Sequence, residues 1–463
     1  MKPPAGTVTH KSQRLKIRIE RACHANLLTT KPAGPFELGR GDAMKNLIVL
    51  GAGTAGTMVA NHLRRKLPRG WALTVIDPEP EHLYQPGLLF LPFGARDEAK
   101  LTRPRARTFL SGVPWRQQEV QLVDTAARQV VFAGEQERMS YDLLVIATGS
   151  HLRPGETEGL LGAGWRRNVF DFYTLDGALA LREALARFAG GRLVVNVVEN
   201  PIKCPVAPLE FLFLADAFFS RRGLRDRVEL VYATPLDGAF TRPVASRLLG
   251  SLLEQKGIRV ESEFSTGSVD AAARVLRSWD EREIPFDLLV TVPTHMGAGM
   301  IAASGLGNEM AFVPTDHHTL RARHHEDIFV LGDATDLPSS KAGSVAHFQS
   351  AVVVENLLRS IQGRSLVEGF DGHSNCFLES GHGKAMLLDF NYEVEPLPGL
   401  FPLPLVGPMT LLKESRRNHW GKLAFRWVYW HALLPAWPLP LSHRMSMLGK
   451  RRPPELHLSE KAA

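Results

Sequence analysis

Cysteine is scarce in this chain: three among 463 residues, at positions 23, 204 and 376. Three thiols so widely separated make no disulfide framework and no zinc site of paired ligands. They leave free thiols, or one functional pair and a bystander. Long apolar runs are missing too: none reaches the roughly 18 uninterrupted residues of a membrane-spanning helix. The basic N-terminus lacks the apolar stretch of a secretory signal. The 17 histidines show no H-x-x-x-H or comparable spacing, so no metal is assigned. Tandem repeats and low-complexity segments are absent as well.

What is present is an ordinary globular composition, 44% hydrophobic and 22% charged. A length of 463 residues allows two or three domains. The formal charge of +7 is uneven, with residues 1–43 at +5 and residues 413–452 at +8. The body between them, 44–412, is mildly acidic at −5. A nucleic-acid groove in the body is therefore not expected, whereas the C-terminal end suits an anionic surface. Residues 1–43 show no periodicity and precede Met44; they read as a disordered basic extension in which Cys23 has no role.

Strands and helices alternate from Lys45 onward, which implies parallel sheets covered on both faces. NLIVL, GAGTAG, TMVANHLRRKL and WALTVID read as strand, turn, helix and strand. The turn sets Gly51, Gly53 and Gly56 in the G-x-G-x-x-G order that lets backbone amides meet a pyrophosphate. Asp77, 21 residues past Gly56, is positioned to accept a ribose hydroxyl. A second α/β unit starts at RLVVNVV, but ENPIKCPVAPLEF follows it, with prolines and Cys204 in place of a glycine triplet. Beyond residue 371 the chain is rich in Pro and aromatics, with four of eight Trp at 420, 427, 430 and 437. Trp420, Leu423, Trp427, Trp430 and Leu434 recur at helical spacing, with Lys422 and Arg426 between them. That pattern fits a helix lying in a membrane interface, and equally one packed on a core or a dimer partner.

ATG (147–149) after a buried strand, and Gly332-Asp333 after IFVL, make the chain resemble the flavoprotein disulfide reductase superfamily. The resemblance implies FAD, its ribityl chain held by Asp333, with Thr148 and Gly149 near the dinucleotide. KCPVAPLE (203–210), HLYQPG (82–87) and CFLESGHGKAMLLDFNY (376–392) narrow it further. With them the chain resembles the sulfide:quinone oxidoreductases and the related flavocytochrome c sulfide dehydrogenase flavoprotein, from about Lys45 to the C-terminal aromatic region. It departs from their better-known members in having no cysteine within 150–203, which points to a two-cysteine subgroup.

The fold this implies is α/β, with two Rossmann-like domains, one for FAD and one a vestigial NAD-like domain, plus a C-terminal membrane-associating region. The expected boundaries are 44–165 with 285–370 for FAD, 166–284 for the domain carrying Cys204, 371–452 for the quinone and membrane region, and a 453–463 tail. Cys204 and Cys376 would form the redox pair beside the flavin. Hydrosulfide would open their disulfide to a persulfide and a thiolate, and two electrons would pass through FAD to a membrane quinone. Lys203 is a candidate for lowering the pKa of Cys204, and Glu210 for moving protons. Lys341 is expected near the flavin, where a cation stabilises its reduced form. Lys384, Lys413, Phe390 and Tyr392 are candidate quinone contacts. The expected partners are sulfide, quinone and a lipid surface, without nucleic acid, at the periphery of a membrane; a homo-oligomer stays open. The rival readings are an NADH:quinone oxidoreductase, transfer to a haem subunit, and a non-catalytic flavin- or sulfane-sulfur-binding partner.

Overall fold

A computed structural model describes residues 44–94, 98–134, 137–403, 406–439 and 441–452. The expected leader with Cys23, and the expected tail, lie outside the described residues.

The first βαβ unit is β1 (Lys45–Leu50), α1 (Thr54–Lys66) and β2 (Trp71–Ile76). β1 and β2 pair in parallel, with Leu47 opposite Leu73 and Val49 opposite Val75. Short β3 (Trp115–Arg116) extends the edge, and β4 (Leu143–Ile146) pairs with the other side of β1. Because side chains alternate along a strand, Leu47 and Val49 enter one core while Ile48 and Leu50 enter another. A strand buried on both faces reads as a continuous apolar run, which is why NLIVL shows no alternation. Burying each Val or Leu of this kind contributes about 1.5–3 kcal/mol.

The second unit comprises β5 (Val169–Phe170), α2 (Leu175–Arg187), β6 (Gly191–Val197), α3 (Ala207–Arg221), β7 (Val228–Ala233), α4 (Pro243–Gln255), β8 (Ile258–Glu261) and β9 (Leu288–Val292). Thr174 caps α2 by accepting the Gly177 amide at 3.0 Å. After the short α5 (Gly299–Ala303), β10 (Ile328–Val330) returns to pair with β4. The two parallel sheets therefore run β10-β4-β1-β2-β3 and β5-β9-β6-β7-β8. This is the doubly wound pattern expected from the alternation, and it brings turns at the carboxyl ends of β1, β4, β6 and β10 into play as a site. α6 (Gly343–Ile361) packs against α1.

The C-terminal part is a smaller sheet ordered β11-β12-β14-β13: β11 (Ser374–Gly381), β12 (Lys384–Phe390), β13 (Gly399–Leu403) and β14 (Gly407–Leu411). α7 (Arg416–Val428) follows, capped by Ser415, and continues into a π-helical turn, Tyr429–Leu433. The last described stretch is locked back onto this sheet. Lys450 Nζ lies 2.6 Å from Asp389, their side chains only 1% and 2% exposed, and His373 Nε2 is 2.8 Å from the same carboxylate. Among the described residues no helix is long and apolar enough to cross a membrane.

α7 differs from the amphipathic helix expected from the spacing of Trp420 to Leu434. Trp420, Leu423 and Trp427 are exposed, at 67%, 43% and 65%, whereas Trp430 and Leu434 are buried. Lys422, expected on the solvent side, points inward instead. The stripe splits at Tyr429, where a π-turn begins and the chain passes from the exposed side onto the core. On α7, Trp420, Leu423 and Trp427 thus stand outside while Lys422 is turned in.

Candidate active site

The glycine turn has the geometry a pyrophosphate requires. Gly51 has φ +90°, and a Cβ there would lie 2.5 Å from Ala147 O; a Cβ on Gly56 would lie 1.9 Å from Gly51 O. At Gly53 a Cβ would meet nothing within 4 Å, so this face of the turn is open to an approaching group. Asp77 holds the turn as well as ending β2: its Oδ2 accepts the Ala52 amide at 2.6 Å and its Oδ1 the Glu79 amide at 2.9 Å. Arg105 pairs with it at 3.4 Å. Each carboxylate oxygen has a second lone pair, so a ribose hydroxyl can still be accepted.

Across the sheet, Thr148 Oγ1 is buried with no partner, just before Gly149. Among the described residues the Asp333 carboxylate, at the end of β10, is hydrogen-bonded only by Ser150 at 3.4 Å, while Gln349 accepts the Gly332 amide at 2.6 Å. An orphaned buried hydroxyl, an open glycine face and a lightly held carboxylate around one sheet end fit a dinucleotide such as FAD. Lys341 is committed to that turn: its Nζ donates to Asp333 O at 2.8 Å and Thr335 O at 2.7 Å, above the Phe312 ring. Burial pulls it down to about 8, against the opposing pull of Asp333 and Asp336. Its ammonium staples the backbone that bears Asp333, which is how it bears on the flavin site.

Between β6 and α3, where a second nucleotide turn would stand, the chain closes on itself. Leu209 and Glu210 in the first turn of α3 are 0% and 1% exposed, so the helix end has no open amides for a pyrophosphate. A surface cavity of about 670 Å³ lined by Arg192, Arg225 and Asp287 lies at the amino ends of these strands, the edge opposite Cys204.

Cys204 sits in that closed turn with φ +85°, a backbone conformation uncommon for any residue but glycine. Its carbonyl accepts the Ala207 amide at 2.7 Å and so starts α3. Strain of this kind concentrates where a side chain must be aimed. Cys376, on β11 opposite Leu388, is buried, while Cys204 is partly exposed; both are free thiols. Burial pushes Cys204 well up, with Glu210 and Cys376 adding to it, and pushes Cys376 up to about 12 with help from Glu210. Cys376 is among the groups that raise Cys204, and α3, which begins just after Cys204, is tied to the strand of Cys376 where Glu210 accepts the Glu379 amide.

The cation here is not the expected one. Lys203 Nζ points to Ser150 O at 3.5 Å and is not among the groups acting on Cys204. Lys422, from the inner face of α7, draws both thiols down and pairs with Glu210. Glu210 is raised to about 7, by burial above all, with Lys422 opposing. Glu379 on β11 donates its amide to Glu210 at 2.6 Å, and its own carboxylate lies 2.9 Å from His419 Nδ1. Tyr84 and Tyr173 complete the surroundings, each feeling the charge of Cys204 and Glu210. Lys422, Glu379 and His419 were not foreseen. The visible signal for the first was helical phase, which the Trp spacing outweighed.

The four quinone candidates do not converge. Lys384 and Phe390 stand at opposite ends of β12, roughly 20 Å apart at strand rise. Phe390 is buried beneath Arg242, and Tyr392 OH reaches His317 O at 3.3 Å, both at the far end. Lys413 lies by the bridge between Ala385 and Ser415, at the Lys384 end. The four candidate quinone contacts thus lie towards two ends of β12, because an extended strand holds its ends apart.

Comparison with known proteins follows the same lines. Residues 45–198 match the family model described as pyridine nucleotide-disulphide oxidoreductase. The mitochondrial sulfide:quinone oxidoreductase of Mus musculus is 24% identical over 422 residues, 86% of this chain and 93% of that one. That of Schizosaccharomyces pombe is 26% identical over 413 residues, covering 83% and 89%. The X-ray structure of the sulfide:quinone oxidoreductase from Aquifex aeolicus superposes with a TM-score of 0.68 at 19% identity, over 83% of this chain and 91% of that one. The chain is thus an α/β flavoprotein of the pyridine nucleotide-disulphide oxidoreductase fold, related along most of its length to the sulfide:quinone oxidoreductases.

Proposed function

We propose that this protein oxidises sulfide to zero-valent sulfur at Cys204 and Cys376 and passes two electrons through FAD to a membrane quinone. The observation that supports this reading is the buried Glu210–Lys422 pair, which acts on both thiols and lies between the helix that follows Cys204 and the strand that carries Cys376. Bound FAD, held by the Gly51–Gly56 turn, Asp77, Thr148, Gly149 and Asp333, supplies a two-electron acceptor. The protein's own residues govern the sulfur chemistry. When the cysteines are joined as a disulfide, hydrosulfide attacks one sulfur and the other leaves as a thiolate. Burial disfavours that thiolate, and Lys422 offsets it. Glu210, ionised only above about neutrality, takes the proton that a thiol must lose before the disulfide can re-form.

The electrons' exit is supported by the outer face of α7. Trp420, Leu423 and Trp427, with Trp437, Val406 and Leu448 nearby in sequence, are exposed large apolar groups on an end of the chain rich in Lys and Arg. Such a face suits peripheral attachment to an anionic lipid surface. An NADH-driven reaction is disfavoured by the closed head of α3.

The test is anaerobic titration of the FAD-loaded protein with sulfide, wild type beside Cys204→Ser and Cys376→Ser. Wild type should bleach its flavin rapidly. Each variant should keep FAD and lose at least about 100-fold in rate. Bleaching by NADH but not sulfide would replace this reading with an NADH:quinone oxidoreductase. Absence of turnover with a soluble quinone in the presence of lipid would redirect the electrons to another acceptor.

A further inference from the structure

We infer that the Ser340 hydroxyl is a further catalytic group of this site: it donates a hydrogen bond to the sulfur of Cys376 whenever that sulfur bears negative charge. The inference rests on the function proposed above.

The segment that carries Ser340 lies against both cysteine-bearing segments. On one side Lys341 forms a backbone bridge with Lys203, the neighbour of Cys204. On the other, the Ser340 amide donates to Ser374 Oγ at 3.4 Å, and Ser344 Oγ donates to Asn375 O at 2.5 Å. Ser374 and Cys376 are two positions apart on β11, so their side chains leave the same face of the strand. A residue whose amide meets the Ser374 hydroxyl therefore stands over the face that bears Cys376.

Ser340 is also held in place independently of the thiol. Its neighbour Lys341 is tied through Nζ to the carbonyls of Asp333 and Thr335, and α6 begins at Gly343. A donor on so constrained a stretch meets a developing charge without reorganising.

Cys376 needs such a donor. It is 7% exposed, so water does little to solvate charge on its sulfur. Burial, Glu210 of α3 and Asp389 of β12 push the thiol up to about 12, against Lys422 of α7 and a hydrogen bond from the Ser340 side chain. Lys422 acts on Cys204 as well and so favours neither sulfur alone, whereas Ser340 is placed over β11. When a disulfide is opened by hydrosulfide, one sulfur–sulfur bond breaks, another forms, and the displaced cysteine keeps the bonding pair. Ser340 shares that charge when it falls on Cys376. The hydroxyl keeps its proton throughout, so the balance of protons and electrons is unchanged.

The experiment labels the FAD-loaded full-length protein with iodoacetamide, anaerobically and after reduction by a phosphine, from neutral to mildly alkaline pH. Peptide mass spectrometry reads Cys376 and Cys204 separately. Wild type is compared with Ser340→Ala and with Ser340→Val and Ser340→Thr, which are alike in shape and differ by the hydroxyl. A hydrogen bond to a charged group changes the thiolate fraction about ten-fold. Roughly half of that, on a logarithmic scale, returns as greater nucleophilicity. Cys376 should therefore label about three-fold or more slowly in the Ala and Val variants and at the wild-type rate in Ser340→Thr. Cys204 should label alike in all four, and bleaching of the flavin by sulfide should slow in the same two variants. Wild-type labelling of Cys376 in the Ala and Val variants would overturn the role, as would a loss that Ser340→Thr shares. Should Ser340→Ala lose its FAD, the Thr and Val comparison decides alone. A wild type that sulfide fails to bleach overturns the proposed function, and with it any catalytic part for Ser340; a bleaching wild type with unchanged labelling in the variants overturns only the part given to Ser340.

Discussion

The hydroxyl of Tyr429 lies 2.6 Å from His82 Nε2 and 2.7 Å from Thr54 Oγ1, joining the C-terminal segment to the first turn of α1. His82 Nδ1 faces Ala52 O, which can only accept, and burial with Arg105 keeps the ring neutral, at about 3. Nδ1 therefore carries the proton, and Nε2 accepts from Tyr429. Asn61 strengthens the link by donating to Leu434 O at 2.7 Å. Tyr429→Phe keeps the ring against Tyr84, 4.8 Å between centroids, but strands the His82 nitrogen. The expected loss is about 1–3 kcal/mol, read by thermal melting of the FAD-loaded protein. An unchanged melting temperature would mean that ring packing alone holds the segment.

A second expectation concerns the backbone at Cys204. Its φ of +85° suits glycine, so Cys204→Gly should be more stable than Cys204→Ala by about 1 kcal/mol. Both variants should be equally unreactive towards sulfide. Chemical denaturation of the pair measures the difference, and equal stability would show that the turn relaxes without strain.

The carboxyl of Glu210 should leave a mark on pH dependence. Its pKa is raised to about 7, so it is protonated below that pH and cannot accept a proton there. Reduction by sulfide should therefore accelerate as pH rises through about 7. Hydrogen sulfide ionises in the same range, so rates are compared at matched hydrosulfide. Glu210→Gln should be slower by about 10- to 100-fold and lose its own part of the pH dependence. A Gln variant with the wild-type profile would assign the titration elsewhere.

The outward side chains of α7 make a fourth case. Replacing Trp420, Leu423 and Trp427 together by Ser removes exposed apolar surface without opening the core. Partition onto anionic vesicles should fall at least about ten-fold, with quinone turnover falling in parallel. Vesicle co-sedimentation measures the first; undiminished binding would assign attachment to another surface.

The parts of this molecule legible in its sequence are those where one residue type has one physical use. Gly51 and Gly56 could be read because no side chain fits where they stand, and the alternation of apolar runs gave away the two parallel sheets. Cys204 and Cys376 were legible as a pair only through resemblance, since a separation of 172 positions shows no local pattern. Lys422 was misread because a lysine between tryptophans looks solvated, and only its pairing with the buried Glu210 of α3 reveals which face of α7 turns inward. Spatial grouping of the quinone candidates was not legible, since a strand keeps Lys384 far from Phe390 although they are close in sequence.

The lock between Lys450, Asp389 and His373 makes the last described residues a latch and not a loose tail. Clipping the chain ahead of Lys450 would strand a carboxylate 2% exposed against an imidazole, and clipping it ahead of Ser442 would also remove the contacts of Ser442 with His373 and of Met445 with Asp371. Breaking a buried ion pair from one side costs about 3–5 kcal/mol. Affinity tags and reporters fused past Arg452 thus spare the latch, whereas trimming by a few dozen positions to aid crystallisation would unpick the sheet that presents Cys376.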